Sequence, residues 1–229
     1  MLNVPRPSCA RYFLFCLLAA FAGATAQAQI TGNSTIDHQL SRIDIGVIGS
    51  GIFNGNASGT AIAEGQPTTV HYHAGNTLGA LVTVRYVIKP LIGFEFNYGY
   101  ARYTDTFSPF GTITTPPSSS GIQQNAAEYT LGYVAHTRKT YFGLTPFGAI
   151  GLGTTEFRPT TAGGQGFYPQ ARATYYYTAG ADAVLSPHFG LRAQLHQAFF
   201  KAPDYETNFL TIQQHTSTIE PGVGFYLRF

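Results

Sequence analysis

The sequence predicts an all-β chain: an eight-stranded antiparallel up-and-down transmembrane β-barrel. Three observations predict it. In the last segment every odd position (Ile219, Pro221, Val223, Phe225, Leu227, Phe229) is apolar, while Glu220, Gly222, Gly224, Tyr226 and Arg228 are polar, small or amphipathic. A period of two sends successive side chains to opposite faces of a strand, so this segment has one greasy and one wet face. The same alternation recurs in seven earlier segments, with Tyr and Phe crowded on the apolar face and Gly, Thr, Asn and isolated charges on the other. A soluble sandwich or lipocalin-like barrel would turn the apolar face inward and show Lys and Glu to water. Third, only 10% of the chain is charged and its mean hydropathy is near zero. No stretch after residue 30 reaches the roughly 20 apolar residues of a membrane helix, and this combination fits a barrel that spans with strands.

The N-terminus is set aside first. Arg6 and Arg11 precede an apolar run from Tyr12 to about Ala22, then small-residue sites at Ala24-Thr25-Ala26 and Ala26-Gln27-Ala28. This is the pattern of a secretory signal peptide, residues 1–28, cleaved after Ala28 or else Ala26. Both cysteines, Cys9 and Cys16, fall in it, so the expected mature chain has no disulfide, thiol nucleophile or lipidated cysteine. Removing Arg6 and Arg11 takes two of the 13 basic residues and leaves 11 against 11 acidic ones. A neutral mature chain argues against nucleic acid as a partner. Residues 29–41 form a short periplasmic segment, and 42–229 the barrel, one domain.

The strands follow in order. The first, about 42–53, sets Ile43, Ile45, Val47 and Phe53 outward and Asp44, Gly46 and Ser50 inward. The second, about 76–88, turns Leu78, Ala80, Val82, Val84, Tyr86 and Ile88 outward and Gly79, Thr83 and Arg85 inward. Its outward parity runs back through Ala74, Tyr72 and Val70, which predicts that it starts near Thr69 and projects beyond the membrane as half of a hairpin. The third, about 91–104, alternates Ile92, Phe94, Phe96, Tyr98 and Tyr100 with Gly93, Glu95, Asn97, Gly99 and Ala101. The fourth, about 124–137, opposes Ala127, Tyr129, Leu131 and Tyr133 to Glu128, Thr130, Gly132 and His136. The fifth, about 141–157, has Phe142, Leu144, Pro146, Ile150 and Leu152 outward and an uncharged inner face rich in glycine. The sixth, about 171–185, turns Tyr176, Thr178, Gly180 and Asp182 inward. The seventh, about 189–200, does so with Gly190, Arg192, Gln194 and His196. The eighth runs from about His215 to Phe229.

Tight turns follow strands two, four and six, and longer Gly-, Pro-, Ser- and Thr-rich stretches follow strands one, three, five and seven. Short turns on the periplasmic rim and long loops outside are the habit of bacterial outer-membrane barrels. No period of 20 to 50 residues signals a repeat array.

Several segments carry a likeness: the signal peptide, Val223, Phe225, Leu227 and Phe229, the stretch Leu185–Arg192, and the glycine-rich Pro146–Gly153. With these the chain resembles the small outer-membrane beta-barrel superfamily that includes the outer membrane protein A barrel and the opacity-type surface proteins. The resemblance covers essentially the whole mature chain and implies a bacterial outer-membrane location, contact with outer-membrane lipid, and a monomer. It also implies that the terminal aromatic strand, with Phe225, Leu227 and Phe229, is the signal read by the barrel-insertion machinery. The peptidoglycan-binding domain of larger members is expected to be absent, because the sequence stops at the barrel.

Inward parity collects Asp44, Arg85, Glu95, Glu128, Asp182, Arg192, His196, Glu220 and Arg228, with Arg42 at the rim. Opposite charges in a narrow low-dielectric cylinder pair and saturate one another with hydrogen bonds, and eight strands leave an interior that side chains fill. The expectation is a plug; the functional alternative is a narrow channel or proton path. Glu128, Tyr176, His196 and Glu220 are expected to form a second, higher layer, where a histidine between carboxylates offers a general base or a single metal ligand but reads better as a satisfied network. His71 and His73 share one strand face about 7 Å apart. Two ligands make an incomplete metal site, so a solvated hairpin is expected there, and no cofactor.

His215-Thr216-Ser217 resembles part of the His-x-Ser element of lipid A deacylase barrels, but Glu220 lies on the opposite parity and no acidic residue follows to orient the histidine. Residues 29–41 are too short and polar for the amphipathic helix with which lipid A palmitoyltransferase barrels begin. The expectation is therefore a non-enzymatic structural or surface-contact barrel, with external ligands engaged through its loops. Loop residues 112–121, rich in Thr, Pro and Ser, suit contact or shielding.

Overall fold

The computed structural model describes residues 38–63, 66–89, 91–110, 118–205 and 210–229. The expected signal peptide, most of segment 29–41 and most of loop residues 112–121 lie outside the described residues. Eleven strands follow in order: β1 (Ile43–Asn54), β2 (Asn56–Ala63), β3 (Gln66–Ala74), β4 (Thr77–Lys89), β5 (Ile92–Phe110), β6 (Ser118–His136), β7 (Leu144–Pro159), β8 (Gln170–Ser186), β9 (Phe189–Lys201), β10 (Leu210–Thr211) and β11 (His215–Arg228). Eight of them, β1, β4 to β9 and β11, pair antiparallel in a ring closed by β1 against β11 and β5 against β6, the predicted eight-stranded barrel.

The outer wall follows from the alternation. Leu131, Tyr133, Ile150, Leu152 and Val223 stand between 58% and 70% exposed, a degree that only a lipid solvent explains for so many large apolar groups. Across this wall aromatic rings pair between strands, Phe94 with Tyr133 at 4.9 Å and Tyr98 with Tyr129 at 5.2 Å. On β5 the lipid-facing run goes from Ile92 to Tyr100, a span suited to a tilted membrane strand. The next outward residue, Arg102, donates from Nη2 to Gln123 Oε1 at 2.6 Å, and on β7 Arg158 pairs with Glu156 at 2.7 Å, so charges mark the outer boundary of the bilayer.

Three predicted boundaries move. Strands β5 and β6 run on to Phe110 and from Ser118, well past the bilayer. The fifth predicted strand begins later than expected: Phe142 and Gly143 have φ of 52° and 80° and make a turn, so Phe142 is not on the outer face of β7.

The largest difference lies at the first long loop. Parity sends Val70, Tyr72 and Ala74 outward, yet each is at most 2% exposed. The hairpin exists, but β3 is not a continuation of β4. It leaves β4 at Gly75 and Asn76, pairs with β2, and joins β5 directly (Tyr72 opposite Phe107, Ala74 opposite Asp105). Irregular residues sit at both of its roots. Gly55 N–H donates to Ser217 O at 2.8 Å and Gly75 N–H to Thr104 O at 2.9 Å, while Asn54 Nδ2 ties the two together on Gly75 O at 2.7 Å. One residue out of step on each strand exchanges the faces of the hairpin. The physical cause is a change of solvent: above the bilayer the outside is water, and the apolar face turns in.

Candidate functional site

The interior is stacked in three layers. In the lowest, β9 presents Arg192 to Asp182 on β8, with Nε donating to Oδ1 at 2.7 Å and Nη2 to Oδ2 at 3.0 Å. The same guanidinium reaches Asp44 at 3.2 Å and Thr83 at 3.1 Å, which ties β9 to β1 and β4 across the lumen. Arg85 donates from Nε to Glu95 at 2.5 Å and lies 3.7 Å from Asp182. The two guanidiniums are 0% and 1% exposed, so their pairing is held in a desolvated centre. Phe147 stands beneath both, 4.0 Å from Arg85 and 5.4 Å from Arg192, and Tyr226 stacks on Arg192 at 4.8 Å. Gly190 makes this possible, because a Cβ there would strike the Tyr226 ring.

The middle layer is joined to the lower one by Tyr176, whose hydroxyl donates to Glu95 Oε1 at 3.2 Å while its ring stacks on His196 at 5.0 Å. His196 lies between Glu128 (Nε2 to Oε1, 3.2 Å) and Thr178 (Nδ1 to Oγ1, 2.8 Å). Thr130 adds a hydrogen bond to Glu128 at 3.1 Å, and Thr218 one to Glu220 at 3.3 Å. Glu128, Glu220 and Tyr103 border a cavity of about 30 Å³, enough for a water or two.

The structure thus brings together Asp44, Arg85, Glu95, Asp182 and Arg192 in one cluster, and Glu128 with His196 in another. Glu220 is opposite His196 in strand register and only partly buried. Arg228 is the exception: it is exposed at the short-turn end of the barrel, 5.8 Å from the centre of the Tyr226 ring, and forms no part of the cluster. Its place is taken by His136, 3.8 Å from Asp182. Phe147, Tyr226 and the inward Ile48 and Leu81 also go beyond the sequence reading; the inward parity of Phe147 on the glycine-rich face of β7 is the signal that could have found it.

The third layer corrects the expectation of a wholly polar interior. Above the bilayer the lumen holds an apolar cluster that includes Ile52, Val70, Tyr103, Phe107, Phe157 and Phe200. Into it the segment after β9 inserts Tyr205, a non-glycine residue at φ 51° and 3% exposed. The Gln170 side chain holds the segment, accepting from Asp204 N–H at 3.0 Å and Tyr205 N–H at 3.1 Å, while Arg172 pairs with Asp204 at 2.6 Å. At the tip, Tyr205 Oη lies 2.6 Å from Asp105 Oδ2 and 2.5 Å from Gln124 Oε1, and Tyr72 donates to Asp105 Oδ1 at 2.9 Å. The same segment returns as β10, pairing Leu210 with Ala61 on β2.

Among the described residues no cation lies beside Asp105, and burial pushes its carboxyl up to about 7 against the opposing pull of the Tyr205 and Tyr72 hydroxyls. Burial and the Asp105 charge also raise Tyr72 well above the usual phenol range, and Tyr205 likewise. A tyrosine hydroxyl has one proton to donate. Two short O···O contacts at Tyr205 therefore need a second proton, which a neutral Asp105 supplies.

On the lipid side, His215 and Ser217 face Lys201 and Phe199 in register, and the His215 ring lies 6.5 Å from that of Tyr175. Phe225 and Phe229 stand 45% and 39% exposed on the same wall.

A family model for the outer membrane protein beta-barrel domain matches residues 13–225. Among solved structures the chain is similar to the outer membrane protein OprG from Pseudomonas aeruginosa, with 16% identity and a TM-score of 0.54 over 82% of this chain and 95% of that one. It is also similar to Neisserial surface protein A, at 11% identity and a TM-score of 0.48, covering 81% and 97%. The outer membrane protease OmpT from Escherichia coli follows at 8% identity and a TM-score of 0.43, covering 82% and 96%. At such identities the likeness is one of fold. A comparison with curated protein sequences returns no match. A lipid-facing wall closed on itself and a family match spanning nearly all of it have one meaning: this chain belongs to the outer membrane protein beta-barrel domain family and resides in the bacterial outer membrane.

Proposed function

We propose that the protein is a non-enzymatic barrel that conducts nothing through its lumen and serves the envelope as a structural or surface-contact element through its extracellular section. The observation that carries this reading is Tyr205, which sits buried in the outer mouth of a lumen already occupied by the Arg85 and Arg192 clusters. An eight-stranded cylinder has little room beyond its own side chains. The barrel acts as a monomer in contact with outer-membrane lipid, and the terminal Phe225, Leu227 and Phe229 serve its delivery to the insertion machinery.

Single-channel recording in planar bilayers tests this. No steady opening is expected; steady porin-like openings would overturn the reading in favour of a narrow channel. Incubation with lipid A is expected to release no fatty acid. Release that disappears in Ser217→Ala would reverse the non-enzymatic reading.

A further inference from the structure

The polar face of the β2–β3 hairpin carries a feature that neither the lumen nor the membrane wall uses. His71 and His73 alternate with the buried Val70 and Tyr72 and stand exposed on the outer surface of the hairpin. Strand pairing sets Ser58 opposite His71 and Asn56 opposite His73. Both imidazoles use the same nitrogen toward β2: His71 Nδ1 lies 3.3 Å from Ser58 Oγ, and His73 Nδ1 lies 2.5 Å from Asn56 Oδ1.

An amide oxygen only accepts, so the proton of the neutral His73 ring is on Nδ1 and its Nε2 presents a bare lone pair. The Ser58 hydroxyl, which both donates and accepts, is compatible with the same tautomer of His71. Among the described residues neither Nε2 has a partner. Such an arrangement, with one ring nitrogen held by an outer hydrogen-bond acceptor and the other left free, is how metal-binding histidines are oriented. The partners share β2, and the two histidines stand about 7 Å apart on one face of β3. Gln214, whose Oε1 accepts from Ser58 N–H at 2.6 Å, closes one side of the hollow that these residues line.

The geometry points to a surface site in which His71 and His73 chelate one divalent transition-metal ion through their Nε2 atoms, with Asn56 and Ser58 as positioning residues. The donor set fixes the class of ion. Imidazole suits copper, nickel and zinc, whereas magnesium and calcium need carboxylate and carbonyl oxygens, and the described lining holds no carboxylate. Copper(II) should bind more tightly than zinc, following the general order of affinities. Water completes the coordination, and the site does not depend on the closed-lumen reading.

The test uses the untagged full barrel refolded in detergent micelles and titrated calorimetrically with zinc(II) and copper(II) salts, with magnesium as the negative probe. Expected is saturable binding of one ion per chain, tighter for copper, and absent for magnesium. His71→Ala and His73→Ala should each weaken it at least about tenfold, and Asn56→Ala by about tenfold through loss of the outer partner; His188→Ala should leave it unchanged. Electron paramagnetic resonance of the copper form should show coupling to two imidazole nitrogens. Absence of saturable binding, coupling to one nitrogen only, or unchanged binding in either histidine variant would overturn the site. Shifted mobility of the unheated protein in gels verifies that each variant is folded.

Discussion

The Tyr205 hydroxyl touches the Asp105 carboxyl at 2.6 Å across 100 residues of sequence, and by this contact the segment after β9 is fastened inside the outer mouth of the barrel. Tyr205→Phe removes that hydrogen bond and the contact with Gln124 while keeping the ring against Phe107 and Phe167. The segment should loosen by about 1–3 kcal/mol. Faster amide exchange at Asp204 and Tyr205, with strand amides unchanged, is the expected result; unchanged exchange would show that ring packing alone holds it.

The same contact makes the mouth sensitive to pH. Asp105 binds its proton up to about pH 7 when buried, against 3.8 for an ordinary aspartate. The closed form therefore holds more protons than an opened one between roughly pH 4 and 7, and closure weakens as pH rises through that window. Three units correspond to about 4 kcal/mol at most. The groups facing Asp105 are Tyr72 on β3, Tyr103 on β5, Gln124 on β6 and Tyr205, and the three phenols do not titrate in this range. Exchange at Tyr205, divided by the intrinsic base-catalysed rate at each pH, should rise from pH 4 to 7 and level off above it, and Asp105→Asn should flatten that corrected profile. A flat profile in the unaltered protein would refute the neutral carboxyl.

Arg192 serves two carboxylates, Asp182 and Asp44. Arg192→Met leaves Asp44 buried without its guanidinium and Asp182 with only the Arg85 guanidinium at 3.7 Å, which should cost about 3–5 kcal/mol. Urea unfolding of the barrel in lipid vesicles reads this as a lowered midpoint. Arg228→Met, at an exposed position, should change it by about 0.5 kcal/mol or less; comparable losses in both would mean that the two arginines share one network.

The ladder between β1 and β11 is interrupted at Gly51 and Ile52, opposite Pro221 and Glu220, and resumes where Phe53 meets Ile219. Proline has no N–H to give. Pro221→Val should supply the donor and raise stability by about 1 kcal/mol in the same assay; a lower midpoint would show that the gap relieves strain.

Within the bilayer, the alternation of side chains read the barrel well. Lipid on one side and a narrow lumen on the other leave no freedom in a segment such as Phe94 to Tyr100, so parity settles every direction. Above Arg102 the rule changes because the outer solvent changes, and Val70 and Tyr72 obey water instead of lipid. Nothing local announces the change except Gly55 and the pair Gly75 and Asn76, which read equally well as loop residues. Tyr205 was illegible for another reason: its partners, Asp105 and Gln124, lie on distant strands, and no periodicity links a loop residue to them. Arg228 shows the opposite limit, since correct parity does not reveal how near a strand end lies to open water.

The reversal of faces at the base of the β2–β3 hairpin constrains how the molecule is assembled. The cluster of Val70, Tyr72, Phe107 and Tyr205 must cross the bilayer before it can close, because it exists only on the far side. The exterior section is therefore expected to close only after its strands have crossed. Delivery of the barrel and maturation of its surface are then separable events, and a barrel fully inserted in lipid can still be unfinished outside.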